Sequence, residues 1–126
     1  MTEAAPTHLQ LTLPPDPQLL RVLRLVASGV ASLGHLDLSS VEEVRVAVDE
    51  LGSTLIAAST GGPIELSFEL TPTALRVEGT TALANGAQLE VDPLTDRMLS
   101  VVATSHEWST IDGVARGRFE KTLTTI

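Results

Sequence analysis

The chain has 126 residues, no cysteine, three histidines and a formal net charge of −8 at pH 7. This length suits one domain that buries its own hydrophobic core. Without cysteine, the chain cannot form disulfides, use a thiol nucleophile or bind zinc through thiolates. The acidic charge argues against nucleic acid, whose phosphates attract basic surfaces, but it is compatible with a basic protein partner.

The remaining composition limits the cofactors and the compartment. His8, His35 and His106 lie far apart in no ligand-like spacing, so a metal site built by the protein alone is not expected. No apolar run reaches about 18 residues, and the N-terminus lacks the basic and apolar parts of a signal peptide. We therefore expect a cytoplasmic protein with no membrane segment. Aromatic residues are scarce, which predicts an aliphatic core.

The first third of the chain predicts a tail, a strand and a helix. Residues 1–7 predict a loose tail. Leucines alternate over residues 8–13 in the pattern of a half-buried strand. Asp16, followed by proline, predicts the start of a helix that keeps its apolar period to about Leu33. Gly34 is then expected to be the left-handed residue that ends this helix.

A second helix, over residues 41–59, is the best-defined element of the sequence. Ser39 or Ser40 can cap it. At about 100° per residue, Glu50 and Thr54 lie roughly 40° apart on its flank, where both can line a pocket. Its apolar residues recur in a three-then-four spacing that predicts one buried stripe, formed by Val41, Val44, Val48, Leu51, Leu55 and Ala58.

The next segment predicts a hairpin, a loop and a third helix. Residues 64–70 alternate clearly, residues 74–78 are the expected partner strand, and residues 79–88 have no usable period and predict a loop. A third helix is predicted over residues 93–105, with Asp92 as its cap. Its apolar residues expected to face inward are Leu94, Met98, Val101 and Val102.

Two more strands, over residues 107–111 and 116–124, complete the order β-α-α-β-β-α-β-β, with a turn at Asp112 and Gly113. Short turns between neighbouring strands predict a mostly antiparallel sheet with helices on one face. The predicted fold class is α/β, a two-layer α/β sandwich, in a single domain over residues 8–126.

Few residues point to chemistry. The sequence has no GxSxG motif and none of the glycine patterns of Rossmann or P-loop sites, so hydrolase and dinucleotide chemistry are not expected. The candidate that remains is Glu50, which is either a catalytic carboxylate or a solvated helix acid. Thr54 is either a ligand or a helix hydroxyl that bonds its own backbone.

The order of elements and the run VRVAVDELGSTLIAAS over residues 44–59 resemble the anti-sigma factor serine kinases of the GHKL (Bergerat-fold) ATPases. The likeness is greatest for degenerate actinobacterial members, which oppose stress or sporulation-type sigma factors. It covers nearly the whole chain, and its strongest part is AVDE at residues 47–50, similar to the start of the family's N-box. The resemblance implies a histidine-kinase-like ATPase domain over residues 8–126, often homodimeric, that binds ATP and Mg²⁺.

The resemblance also implies roles for individual residues. Glu50 takes the place of the N-box glutamate, the general base that activates the substrate serine or a water. Thr54 stands where the family has the asparagine that completes the Mg²⁺ shell, and a hydroxyl is a weaker ligand. Glu78 stands where a carboxylate reads the adenine amino group, and Arg97 falls in the region of the phosphate lid.

Glycines that let the backbone approach nucleotide in the family are replaced here by Thr80, Ala82, Thr95 and Arg97. Use of Mg-ATP depends on positioning and metal neutralisation. The expected function is therefore an anti-sigma factor that sequesters a sigma factor by protein–protein binding and is released by an anti-sigma factor antagonist. Its nucleotide site is expected to be degenerate, with catalysis lost or feeble and no bound cofactor; binding of ATP and Mg²⁺ is the alternative. The alternative is an active ATP-dependent serine kinase that phosphorylates the antagonist. A third possibility is an adaptor of the same fold with another signalling partner.

Overall fold

Alternating apolar and polar residues along five strands build one antiparallel sheet in the computed structural model, which describes residues 6–123. The strands are β1 (Thr7–Leu13), β2 (Ile64–Leu70), β3 (Ala74–Ala82), β4 (Ser105–Ile111) and β5 (Val114–Thr122), in the spatial order β1-β2-β3-β5-β4. The predicted mostly antiparallel sheet is confirmed, as is the turn at Asp112 and Gly113, where both residues have positive φ. Together with three helices, the sheet makes a mixed α/β fold.

Four of the five strands differ in their bounds from the prediction. Strands β4 and β5 each begin two residues earlier than predicted, at Ser105 and Val114, because the whole of β4 pairs with β5. The predicted loop over residues 79–88 is wrong for its first four residues, because β3 continues to Ala82, which pairs with Val114 of β5. The predicted tail over residues 1–7 is wrong at Thr7, which begins β1 opposite Leu70. Residues 1–5 of that tail, and Thr124 at the predicted end of the last strand, lie outside the described residues.

Helix α1 (Leu20–Leu33) follows a single 3₁₀ turn over Pro17–Leu19. Asp16 caps that turn, since its carboxylate accepts a hydrogen bond from the Gln18 N–H at 2.9 Å. The left-handed residue after α1 is His35, with φ of 55°, and not Gly34, with φ of −84°. Gly34 is needed for space instead, because a Cβ there would lie 2.7 Å from Leu36 Cδ1.

Helix α2 (Leu38–Ala58) starts three residues earlier than predicted. Asp37 is its cap, and the Asp37 carboxylate accepts a hydrogen bond from the Ser40 N–H at 2.7 Å. Ser40 is therefore the donor in this cap, and the predicted serine cap is wrong. The predicted apolar stripe is confirmed, because its four central residues are at most 1% exposed: Val44, Val48, Leu51 and Leu55.

A pair of glycines lets α2 approach the sheet closely. Gly79 of β3 and Gly117 of β5 are opposite each other in the pairing of the two strands. A Cβ on Gly79 would lie 2.5 Å from Leu55 Cδ1, and one on Gly117 would lie 2.6 Å from Leu51 Cδ1 and also meet the ring of Trp108. The core around this contact is aliphatic apart from two phenylalanines and the half-buried Trp108, as the composition predicts.

The opposite face of the sheet carries charged side chains in place of a second helical layer, among the described residues. Arg76 of β3 donates to Glu120 at 3.0 Å and to Glu69 at 3.1 Å, and the hydrogen bond to Glu120 is the main cause that raises the pKa of Arg76. Arg118 and Glu107 pair at 2.9 Å. Exposed pairs of this kind are screened by solvent, so this face adds little to the stability of the fold.

Helix α3 (Pro93–Val102) is shorter than predicted and turned differently. Asp92 caps it as expected, accepting from the Leu94 N–H at 2.8 Å. Leu99 is its one fully buried residue, and Thr95 and Val102 are half-buried beside it. Three residues predicted to face inward are instead exposed, namely Leu94 (65%), Met98 (36%) and Val101 (74%). We call these three the α3 stripe.

No helix within residues 6–123 has the length and apolar character needed to cross a lipid bilayer.

Candidate functional site

An open cleft of ≈ 510 Å³ lies where the C-terminal half of α2 meets the start of α3 and the segment over residues 83–92. The three-and-four spacing of α2 brings Ser53, Thr54, Ala57 and Ala58 to its wall. Thr95 contributes another hydroxyl from the first turn of α3. Of the candidate residues from the sequence, Thr54 lines this cleft, and Glu50 is hydrogen-bonded to Thr95 in its lining.

Glu50 lies at the edge of the cleft, linked to α3. The Thr95 hydroxyl donates to Glu50 Oε2 at 2.8 Å, and both side chains are half-buried. Glu50 is therefore a half-buried, hydrogen-bonded carboxylate and not a freely solvated helix acid. Thr54, one turn further along α2, lines the cleft directly. Glu50 and Thr54 thus lie one turn apart on α2, as the helical spacing predicts, and the Thr95 side chain lies beside Glu50.

The structure does not bring Glu78 to this cleft. Val77 and Gly79, on either side of it in β3, are buried on the helix side, so Glu78 faces the open side of the sheet. There its carboxylate pairs with the Arg116 Nε at 3.2 Å. Thr81 faces the helix side near this end of β3, but its hydroxyl donates to the Pro63 carbonyl at 3.2 Å.

Arg97 is also directed away from the cleft. It is exposed and lies two residues beyond Thr95, which places it roughly 200° around the axis of α3 from that side chain. The lining contains Glu90 and Asp92 but no lysine, arginine or histidine. The local charge of the cleft is therefore negative.

Two backbone donors of the segment over residues 83–92 bond to the neighbouring hairpin. The Leu83 N–H donates to the Gly113 carbonyl at 2.8 Å, and the Leu89 N–H donates to the Thr110 hydroxyl at 3.2 Å. Both hydrogen bonds tie the segment to the β4–β5 hairpin. These N–H groups are consequently unavailable to a phosphate, which a helix N-terminus or a glycine-rich turn would bind.

These residues do not fit Mg-ATP. A triphosphate needs cationic side chains, free backbone N–H groups or a well-ligated metal ion to offset its charge. The cleft offers carboxylates and hydroxyls, and the metal position would depend on the Thr54 hydroxyl, a poor Mg²⁺ ligand by itself. The arrangement is instead suited to hydrogen bonding with neutral or positively charged groups.

The sequence reasoning missed Thr95, Glu90 and Asp92 as members of the cleft. Asp92 was recognised as a helix cap, and a cap residue necessarily lies at the helix start that forms this wall. The resemblance places Thr95 only at a glycine position of the phosphate lid, and its hydrogen bond to Glu50, 45 residues away in the chain, has no signal in the sequence. Comparison with protein-family models and with curated proteins found no match to this chain.

Proposed function

We propose that this protein is an anti-sigma factor that sequesters a sigma factor by direct protein–protein binding and is released by an anti-sigma factor antagonist. The resemblance of residues 44–59 to the anti-sigma kinases motivates the proposal. The observation that carries it is the α3 stripe, an apolar surface that the fold leaves open. The Bergerat type of the α/β sandwich, the cytoplasmic location and a homodimeric state belong to the same proposal.

The α3 stripe has the properties of a binding surface. Its members recur in a four-then-three spacing, so they lie along one side of the helix. The chain has a net charge of −8, yet it exposes three neighbouring large apolar side chains by 65%, 36% and 74%. Such exposure calls for a functional explanation. Contiguous exposed apolar groups bordered by polar ones mark protein interaction sites. The surface therefore supports a function in which α3 contacts another protein.

The charge next to the stripe supports the choice of partner. Leu94, at one end of the stripe, lies between Asp92 and Thr95, which both line the negatively charged cleft. A sigma factor has basic DNA-binding regions, and an acidic surface beside an apolar one is complementary to a basic amphipathic segment. Binding there would mask the groups that a sigma factor uses on DNA.

The kinase alternative is not favoured by the geometry of the cleft. Glu50 accepts a hydrogen bond from Thr95, the carboxylate expected to read adenine lies on the other face of the sheet, and Arg97 is directed away. The proposal accordingly assigns no catalytic step to this protein. Thermal-shift titration tests the alternative, since clear stabilisation by millimolar Mg-ATP that Glu50→Ala abolishes would restore the kinase function.

The proposal is tested by binding to purified sigma factors of the source organism, measured by calorimetry and size-exclusion chromatography. Leu94→Gln with Val101→Gln removes apolar surface from α3 without adding charge, and we expect affinity to fall at least about tenfold. Leu25→Gln with Leu33→Gln on α1 is the matched control, because those residues are 73% and 61% exposed. The control should bind like the native chain.

Absence of a complex with every sigma factor at micromolar concentration would exclude the anti-sigma function. Equal weakening by the α1 and α3 variants would show that the α3 stripe is not the binding surface.

A further inference from the structure

We propose that the cleft between α2 and α3 binds an extended organic cation, the side chain of an arginine or lysine presented by a protein partner. The identity of that partner rests on the proposed function, whereas the chemistry of the cleft does not. Its shape, its charge and the position of the α2 C-terminus each support this ligand class.

The lining of the cleft combines apolar and polar groups. Ala57, Ala58 and Ala84 give it small aliphatic groups, and Thr54 and Thr95 give it hydroxyls. Arginine and lysine side chains combine an aliphatic stem, which packs on apolar surface, with a head that donates several hydrogen bonds. A volume of ≈ 510 Å³ that is open to solvent admits such a side chain from a neighbouring protein.

The carboxylates at the cleft lack cationic partners within residues 6–123. Glu90 forms no ion pair with any described residue, and Asp92 uses Oδ1 to accept from the Leu94 N–H. Most of the arginines, and Lys121, are paired elsewhere, with acids on α2 or on the open face of the sheet. The cleft therefore has negative charge that no described side chain of this domain neutralises.

The end of α2 adds to this negative potential. The Ser59 N–H donates to the carbonyls of Leu55 and Ile56, at 3.0 and 3.3 Å. Within residues 6–123, the carbonyls of Ala57 and Ala58 accept no hydrogen bond, and both residues line the cleft. The negative end of a 21-residue helix dipole thus lies at the cleft wall, where it favours a cation.

A compact metal ion is a poorer match to the same groups. Within residues 6–123, no three His, Asp or Glu side chains converge closely enough to hold a metal. Among the described residues, only two carboxylates, those of Glu90 and Asp92, line the cleft, and Glu50 bonds to Thr95. Two carboxylates beside hydroxyls and aliphatic groups suit a guanidinium or ammonium group at the end of an aliphatic stem better than a bare metal ion.

The experiment uses agmatine, an alkylguanidinium, as the probe for the isotope-labelled full chain, followed by NMR. We expect saturable shifts of backbone signals at Ala57, Ala84 and Thr95, and weaker binding by a factor of about five or more in the double variant Glu90→Gln, Asp92→Asn. Asparagine still caps α3, so this variant keeps its fold. An arginine-containing peptide and the same peptide with alanine in its place then show whether the cleft binds the side chain of a protein or only a free small cation.

The matched control is Glu65→Gln with Asp16→Asn. It makes the same change of net charge, at an exposed glutamate on the open sheet face and at a capping aspartate, neither of which lines the cleft. The control should bind agmatine like the native chain. Equal weakening in both double variants, or shifts scattered over all acidic residues, would overturn the proposal.

The same variants separate this inference from the proposed function. If a sigma factor binds with native affinity to the Glu90→Gln, Asp92→Asn variant and agmatine does not bind to the native chain, the cleft proposal fails and the anti-sigma function stands. If agmatine and the arginine peptide bind at the cleft but no sigma factor forms a complex, the cleft proposal stands and the anti-sigma function fails.

Discussion

Helices α2 and α3 carry the same kind of apolar repeat and use it in opposite ways. The stripe of α2 faces the sheet, with Val48 and Leu55 completely buried. The stripe of α3 faces solvent, and only Leu99 of that helix is fully buried. A three-and-four spacing therefore establishes that a helix has an apolar side, but it does not establish what that side contacts.

Burial of Leu99 and three polar contacts accompany the orientation of α3. Thr95 bonds to Glu50 on the α2 side, and Asp96 contacts His106 of β4 at 2.6 Å. At the other end of the helix, the Lys121 ammonium donates to the Val102 carbonyl at 3.0 Å, where a cation is favoured by the helix dipole. In this orientation Thr95, Leu99 and Val102 face the rest of the protein, so the α3 stripe, on another side of the helix, faces solvent.

The largest expected difference between the two stripes is in the loss of stability when one residue of each is replaced by alanine. Leu51→Ala in α2 leaves a cavity under a side chain that is 1% exposed, so we expect a loss of about 2–5 kcal/mol in the free energy of unfolding. Val101→Ala in α3, 74% exposed, should change it by no more than about 0.5 kcal/mol. Urea denaturation followed by circular dichroism measures both. Similar losses in the two variants would contradict the described orientation of α3.

The fold was predictable to the extent that local pattern and tertiary contacts agree. Strand β2 and the buried stripe of α2 follow from periodicity alone. The end of β3 does not, because Thr81 and Ala82 have no strand-like pattern of their own and are extended by their pairing with β5. Helix α3 offers two competing repeats, the α3 stripe and the set Thr95, Leu99 and Val102, and only tertiary contacts choose between them.

The site was predictable in part. Helical spacing alone places Glu50 near Thr54, which is a local relation. The face of the sheet on which Glu78 lies is predictable, because side chains alternate along a strand and its neighbour Val77 is buried on the helix side. The contact from Thr95 to Glu50 had none, because it depends on how two helices pack. When a residue is assigned a role only because it aligns with a family motif, the assignment does not say on which face of the sheet its side chain lies.

A smaller effect tests whether α2 depends on its close approach to the sheet. Gly117→Ala places a Cβ 2.6 Å from Leu51 Cδ1 and against Trp108, so we expect a loss of about 1–3 kcal/mol in the free energy of unfolding. Gly29→Ala is the control in α1, where a Cβ meets nothing within 4 Å and alanine should gain about 0.5–1 kcal/mol. Denaturant titrations give both values, and a neutral Gly117→Ala would show that the glycine pair is not needed for α2 packing.

The smallest effect concerns the caps that begin the two helices, Asp37 for α2 and Asp92 for α3. The hydrogen bond from the Ser40 N–H is the main cause that lowers the pKa of Asp37 below its ordinary value of 3.8. A carboxylate whose pKa is lower in the folded state stabilises the fold above the unfolded value and loses that contribution as the pH falls through the folded value. Asp37→Ala should therefore lower Tm most at neutral pH, and the difference from the native chain should shrink in acid.

Asp37→Asn separates the charge of this cap from its hydrogen bond. Asparagine keeps an oxygen that accepts from the Ser40 N–H, so its Tm at neutral pH should lie between those of the native chain and Asp37→Ala. Thermal melts at a series of pH values measure all three chains. A Tm difference between native and Asp37→Ala that stays constant into acid would mean that the ionised carboxylate adds nothing to the start of α2. The cap would then stabilise the start of α2 through its hydrogen bond from the Ser40 N–H, which a protonated carboxyl also accepts, and not through its charge.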